Sequence, residues 1–295
     1  MNGFWRNPAA APPDLPMPRD LVVVTWNGQG DNPFPFIDFD ADPAFEIACL
    51  CYMGTPAIVP AGVRLFKHRT QCKGECFTAL IAELERDGGD YGYVGLIDDD
   101  IEIAVSGINA MLREARAHAY GSFAASLTAD SHAAHPRFRS RPGQDRREIG
   151  WVEVMAPFLR WDLLRASAPL IAGNTSSYGF DQFVMTMLQK VMNLPGAVLF
   201  DSVTMRHARP ITSDSTVFAN GLTAHRERVL QRRRAIAWLA AVRPDLVATR
   251  WWFGWVAPWN GPVRFLGPRL WQPFAPIVRR WRRYWGGDSG NPPRE

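Results

Sequence analysis

Three consecutive aspartates, Asp98, Asp99 and Asp100, follow an apolar run at residues 91–97 (YGYVGLI). Adjacent like charges repel unless a cation or hydrogen-bond donors offset them, so an acidic trio at a strand end calls for positive charge nearby. In extended backbone Asp98 and Asp100 project from one face and Asp99 from the other. Two carboxylates on one face suit a hard divalent cation, Mg2+ or Mn2+, and such an ion can in turn hold a diphosphate. The competing reading is an acidic turn that caps the following segment. His207 ends a strand-like stretch at residues 203–207 and is either a third metal ligand or a histidine bonded to backbone. Asp181 opens a helical pattern after the glycine-bearing residues 173–179, where the helix dipole favours its charge, and a carboxylate there also serves as a simple cap. Glu153 stands between Val152 and Val154, an apolar surround that raises a carboxyl pKa and makes an unpaired charge expensive.

These residues need a scaffold. Residues 21–26 (LVVVTW) read as a buried strand of a parallel sheet, and the polar residues 27–35 after it as a loop at its carboxyl end. In open α/β sheets ligands collect at such ends, which makes Thr25 and Asn27, with Asp98 and Asp99, candidates to hold a nucleotide. Further strands are expected at 45–52, 63–66, 91–97, 151–156, 197–200 and 203–207. Helices are expected at 72–86, at 106–118 with Ser106 as N-cap, from 161, and at 181–191. Residues 129–147 are polar without a period and read as a mobile loop, and 173–179 as a flexible stretch. Strands alternating with helices over about 200 residues indicate one mixed α/β sandwich.

Four stretches carry a resemblance: LIDDDI at 96–101, GWVEVMAP at 150–157, YGFD at 178–181 and DSVTMRH at 201–207. Their order and intervals resemble family 707 of domains of unknown function, and the strand ending in acidic residues resembles the nucleotide-sugar glycosyltransferases of the GT-A fold. The likeness covers residues 20–212, about two thirds of the chain, and GWVEVMAP is its most specific part. It implies a GT-A-like mixed-sheet nucleotide-binding sandwich that moves a sugar from a nucleotide-sugar donor to a polysaccharide or glycolipid acceptor. By this likeness Asp98, Asp100 and His207 would hold a divalent cation, Mn2+ or Mg2+. Asp181 would be the first candidate for general base. Glu153 would bind an acceptor hydroxyl or a buried donor, with the role of base as its second assignment. The alternative is a non-catalytic protein that keeps the fold and acts as a membrane or partner-binding scaffold.

The chain has 295 residues, 47% hydrophobic and 21% charged, a composition that excludes disorder and collagen-like repeats. Its formal charge of +4 hides an asymmetry, because residues 225–295 hold 14 Arg against four acidic residues and leave −6 for the rest. Three regions are expected: an N-terminal arm (1–19), the α/β domain (20–224) and a basic, Trp-rich C-terminal extension (225–295). The extension carries 8 of the 12 Trp, interleaved with Arg as in residues 279–285 (RRWRRYW). Trp and Arg together favour an anionic membrane surface, against packing on the chain's own domain or contact with nucleic acid, for which no module is visible. No apolar run reaches the roughly 20 residues of a spanning helix, and the N-terminus lacks a leader pattern, so the expectation is a cytoplasmic protein peripheral on the inner membrane face. The four cysteines, at 49, 51, 72 and 76, lack a standard zinc spacing and read as buried free thiols.

Overall fold

The computed structural model describes residues 18–56, 58, 61–133, 135–210 and 216–247. It is a mixed α/β fold built on one curled sheet. The first strand, β1 (Arg19–Trp26), is buried along residues 21–26, as its unbroken apolar run requires when both faces are covered. It pairs in parallel with β3 (Glu46–Cys51) on one side and β5 (Tyr91–Ile97) on the other, and β3 pairs in parallel with β4 (Arg64–Lys67). Beyond β5 the sheet continues through β9 (Phe158–Arg160), antiparallel to both neighbours, to β7 (Ser122–Leu127) and then β10 (Ala197–His207). The residues expected as two strands, 197–200 and 203–207, form this single strand, with a shift of register between Phe200 and Thr204. The far side holds β6 (Ile101–Ala104), β2 (Ile37–Asp38) and β8 (Arg146–Ile149), the last antiparallel to β10.

Helices supply the cover. Helix α1 (Lys73–Arg86) buries Phe77, Leu80, Ile81 and Leu84, spaced three and four apart on one face. Helix α2 (Val105–His118) buries Ile108, Met111, Leu112 and Ala115 in a core shared with Val22, Val24, Ile97 and Phe123 of the sheet. Each fully buried Leu, Ile or Phe of this kind contributes about 1.5–3 kcal/mol. Shorter helices α3 (Trp161–Ala166) and α4 (Ala168–Ile171) pack with α1, and α5 (Thr186–Val191), preceded by a π-helical turn at Phe180–Met185, packs with α3. Helix α6 runs Ala224–Val242 and α7 Pro244–Val247.

Four local expectations change. Helix α2 is not capped by Ser106: it begins one residue earlier, and Asp40 accepts from the Ser106 backbone N–H (2.9 Å) and hydroxyl (2.5 Å). Residues 151–156 form no strand. Pro157 has no N–H to extend a ladder, and the segment instead gives the Met155 carbonyl to the Asp98 N–H (2.9 Å) and the Pro157 carbonyl to Leu96 (3.2 Å). Residues 135–147, expected as a loop without structure, hold a 3-10 turn at Pro136–Phe138, a buried Phe138, and the start of β8. Residues 174–177, expected to be flexible, are buried.

The chain divides into two compact units, residues 1–232 and 233–295. The first holds the whole sheet. In the second, the described residues are the remainder of α6 and α7, with an Arg243–Asp245 ion pair of 2.7 Å. Among the described residues no helix is long and apolar enough to cross a membrane. Residues 248–295, with seven of the eight Trp of the basic extension, and residues 1–17 lie outside the described residues.

Candidate active site

The acidic trio lies where β5 ends. Its backbone leaves the extended form and closes a turn, with the Ile101 N–H donating to the Asp98 carbonyl (3.2 Å), so the alternation of faces expected along a strand does not apply. Each carboxylate has its own partner. Lys73, buried in the first turn of α1, donates to Asp98 Oδ1 (2.5 Å) and to the carbonyls of Leu96 (2.9 Å) and Met155 (3.3 Å). Burial pushes the Asp98 carboxyl up, and the Lys73 ammonium pulls against it. Asp99 accepts from the Tyr52 hydroxyl (3.0 Å), while its N–H donates to Thr25 Oγ1 (3.1 Å). Asp100 Oδ2 lies 3.3 Å from His207 Nε2. His207 Nδ1 must donate to the His132 carbonyl (2.9 Å), which turns Nε2 toward Asp100. The reading as a histidine bonded to backbone therefore holds, and the free edge of the ring faces an acidic residue.

A second wall carries Glu153 and Asp181. Asp181 sits in the π-helical turn after Gly179, whose φ of +81° suits glycine, and its Oδ1 accepts the Gln182 N–H (2.7 Å). Burial raises its pKa to about 7, against the pull of that hydrogen bond and of Arg228. Glu153 is 9% exposed and makes no hydrogen bond or ion pair among the described residues, and its Oε2 is fully buried. Burial, reinforced by the charge of Asp181, raises its pKa to about 8. Both carboxyls are thus tuned toward neutrality, the range in which acid–base catalysis operates.

The loop that leads to Asp181 is clamped from two sides. On one, Gly74 at the start of α1 donates its N–H to the Thr175 carbonyl (2.9 Å), and any side chain there would overlap the Asn174 carbonyl and the Ser177 nitrogen. On the other, Glu227 of α6 accepts the N–H groups of Thr175 (2.9 Å) and Ser176 (2.6 Å). Gln231, one turn on, accepts from Asn174 Nδ2 (3.0 Å) and donates to the Leu170 carbonyl (2.7 Å). The first turns of α6 are therefore part of the site, although the sequence placed residues from 225 onward in an appended extension.

A cavity of about 590 Å³ joins the two walls. It is lined by Thr25, Asp98, Asp99, Asp100, Glu153, Asp181 and His207, which come from separate chain segments. Asn27 is not among the lining residues; its Oδ1 accepts the Gln29 N–H (2.9 Å) in a local turn. Sequence reasoning missed Lys73, Tyr52, Ser177, Tyr178 and Arg228, all of which line the cavity. Two of them left a trace: Tyr178 in the YGFD stretch, and Lys73 as a cation in the first turn of a helix, where the dipole disfavours it. All four cysteines are free, with Cys72 and Cys76 on the cavity wall and Cys49, Cys51 and Cys76 buried.

Among the described residues, no group of three or more His, Cys, Asp or Glu is gathered tightly enough to hold a metal ion alone. Asp100 Oδ2 and His207 Nε2 offer two adjacent donors, a set that fits Mg2+ or Mn2+ completed by water and phosphate oxygens. Asp98 is engaged by Lys73 instead.

No protein-family model matches the sequence, so the likeness to family 707 has no support from one. No curated protein matches it either. Several solved structures are similar. Residues 1–349 of S. aureus TarS, in complex with UDP-GlcNAc, is 10% identical with a TM-score of 0.44, covering 79% of this chain and 76% of that one. Mannose-1-phosphate geranyltransferase from Thermus thermophilus is 11% identical with a TM-score of 0.35, covering 64% and 75%. A197 from STIV is 12% identical with a TM-score of 0.33, covering 64% and 85%.

Proposed function

We propose that this cavity binds a nucleotide-sugar donor and transfers its sugar to a hydroxyl of a glycan or glycolipid acceptor. The observation that carries the reading is the convergence, at the carboxyl ends of β1 and β5, of an acidic turn, a histidine beside it and two buried carboxyls with near-neutral pKa values in one cavity. Ligand sites in such sheets lie at these ends, and groups poised near neutrality mark catalytic sites.

The residues divide the work. Asp100 and His207 would hold a divalent cation, which when bound neutralises charge on the departing diphosphate. Lys73 fixes Asp98, while Thr25 and Tyr52 fix Asp99, so the turn that faces the nucleotide is held by three separate anchors. Asp181, once ionised, accepts the proton of the attacking acceptor hydroxyl at one of its carboxylate oxygens. The buried walls limit competing attack by water. A screen of nucleotide sugars against the full chain, read as released nucleoside diphosphate, tests the proposal. Release that requires one donor and is stimulated by an acceptor is expected, and no release from any donor with any acceptor would overturn it.

A further inference from the structure

Ser177 combines two unfavourable features that glycine would avoid. Its φ is +71°, in the left-handed region that serine rarely adopts, and its hydroxyl is fully buried with no hydrogen-bond partner among the described residues. The backbone around it is fully used: its N–H donates to Asn174 Oδ1 (2.7 Å), and its carbonyl accepts from the Phe180 N–H (3.0 Å). Its hydroxyl has no partner among the described residues. An unpartnered buried group and a strained backbone at the same residue point from structure to ligand. Glu153, on the wall of the same cavity, also has a buried Oε2 without a partner among the described residues.

We infer that Ser177 and Glu153 form a hydroxyl-binding subsite for an uncharged sugar, each meeting a different hydroxyl of it. This rests on the transfer reading above and names the chemistry of the sugar it accepts. Hydroxyls both donate and accept, so one polyol can satisfy a serine hydroxyl and a carboxyl together. The rest of this wall agrees, since Ser176, Tyr178 and Gln182 add hydroxyl and amide groups. Ionised Asp181 disfavours a phosphate or carboxylate beside it. The guanidinium on this wall, Arg228, donates its Nε–H to Gln182 (3.0 Å), and its charge already acts on Asp181.

The test uses the full chain, with three uncharged methyl hexosides (gluco, galacto, manno) as probes and glucose 6-phosphate and glucuronic acid as charged comparators. Binding is followed by saturation-transfer NMR with and without UDP or GDP, and thermal midpoints are recorded alongside. At least one methyl hexoside should bind the wild type more tightly than either charged sugar. Ser177→Gly should raise the thermal midpoint yet weaken hexoside binding at least fivefold. Ser177→Ala, which keeps the strain, should weaken binding equally with a smaller gain in stability. Glu153→Ala should also weaken it, and Glu153→Gln, which keeps a donor and an acceptor, should lose less. Unchanged hexoside binding in both Ser177 variants, a lower midpoint for Ser177→Gly, or preference for a charged sugar would overturn the subsite. Hexoside binding that behaves as stated in a chain that binds no nucleotide supports the subsite and counts against the transfer reading.

Discussion

Replacing Glu227 by Ala removes the carboxylate that holds the loop between α4 and Asp181. Its Oε1 accepts from the Thr175 N–H (2.9 Å) and from Asn220 Nδ2 (2.7 Å), and its Oε2 accepts from the Ser176 N–H (2.6 Å). Thr175 and Ser176 are buried, so truncation strands two backbone donors away from water. An unsatisfied buried donor costs about 1–3 kcal/mol, so the substitution should cost about 2–6 kcal/mol. That is a large part of the roughly 5–15 kcal/mol by which a folded chain is stable. Glu227→Gln keeps one acceptor but turns an NH2 group toward the other donor, and should fall between. Burial raises the Glu227 carboxyl, but the hydrogen bonds from Ser176, Thr175 and Asn220 outweigh it and leave the pKa below the usual value. With a lowered folded pKa, the unfolded chain takes up the proton first on acidification. The stabilisation is therefore present above the ordinary carboxyl range and lost as pH falls through the folded value, and Glu227→Ala should lack that acid-side loss. Urea unfolding at neutral and acidic pH measures both effects. An Ala variant within about 0.5 kcal/mol of wild type at neutral pH would refute the reasoning, because it would mean that the loop does not depend on this clamp.

Asp181→Asn should lower turnover at least about a hundredfold with little change in nucleotide affinity, and wild-type turnover should rise with pH through about 7 as this carboxyl ionises. Retained turnover in Asp181→Asn, with loss in Glu153→Gln, would move the base to Glu153. Glu153 contributes a pH dependence of opposite sign to Glu227. Its pKa of about 8 means the folded chain keeps a proton that the unfolded chain releases above 4.5, so stability should fall by up to about 1.4 kcal/mol per pH unit between these values. Denaturation of Glu153→Gln should lack that slope, and a slope equal to wild type would show that the carboxyl is solvated. For the basic extension, the full chain should sediment with anionic vesicles and a chain ending at Val247 should not, each of Arg279, Arg280, Arg282 and Arg283 adding up to about 1 kcal/mol. Equal sedimentation of the two would remove the membrane reading.

Features written in local pattern were legible in the sequence. The apolar run of β5 and the acidic trio after it stand in consecutive residues, and the three-and-four spacing of Phe77, Leu80, Ile81 and Leu84 marks the buried face of α1. What escaped depends on partners far along the chain. The cap of α2 comes from Asp40, 66 residues before Ser106, so the serine beside the helix start misled. The stretch 173–179 has the composition of a flexible loop, yet residues 174–177 are buried, and Glu227, about 50 residues downstream, accepts the N–H groups of Thr175 and Ser176. The need of the acidic trio for positive charge is plain from its residues alone. The ammonium that meets Asp98 belongs to Lys73, whose approach to β5 follows from how α1 packs and is not visible in local sequence.

Calorimetric titration of nucleoside diphosphates into the full chain, with and without Mn2+, decides whether the cavity takes a nucleotide together with a cation. At least one nucleoside diphosphate should bind, at least about tenfold tighter with Mn2+ than without, and Asp100→Ala should lose this gain while keeping the wild-type fold by circular dichroism. Failure of the wild-type chain to bind any of the uridine, guanosine, adenosine, cytidine and thymidine diphosphates, with Mn2+ or Mg2+ present, would contradict the nucleotide-sugar reading.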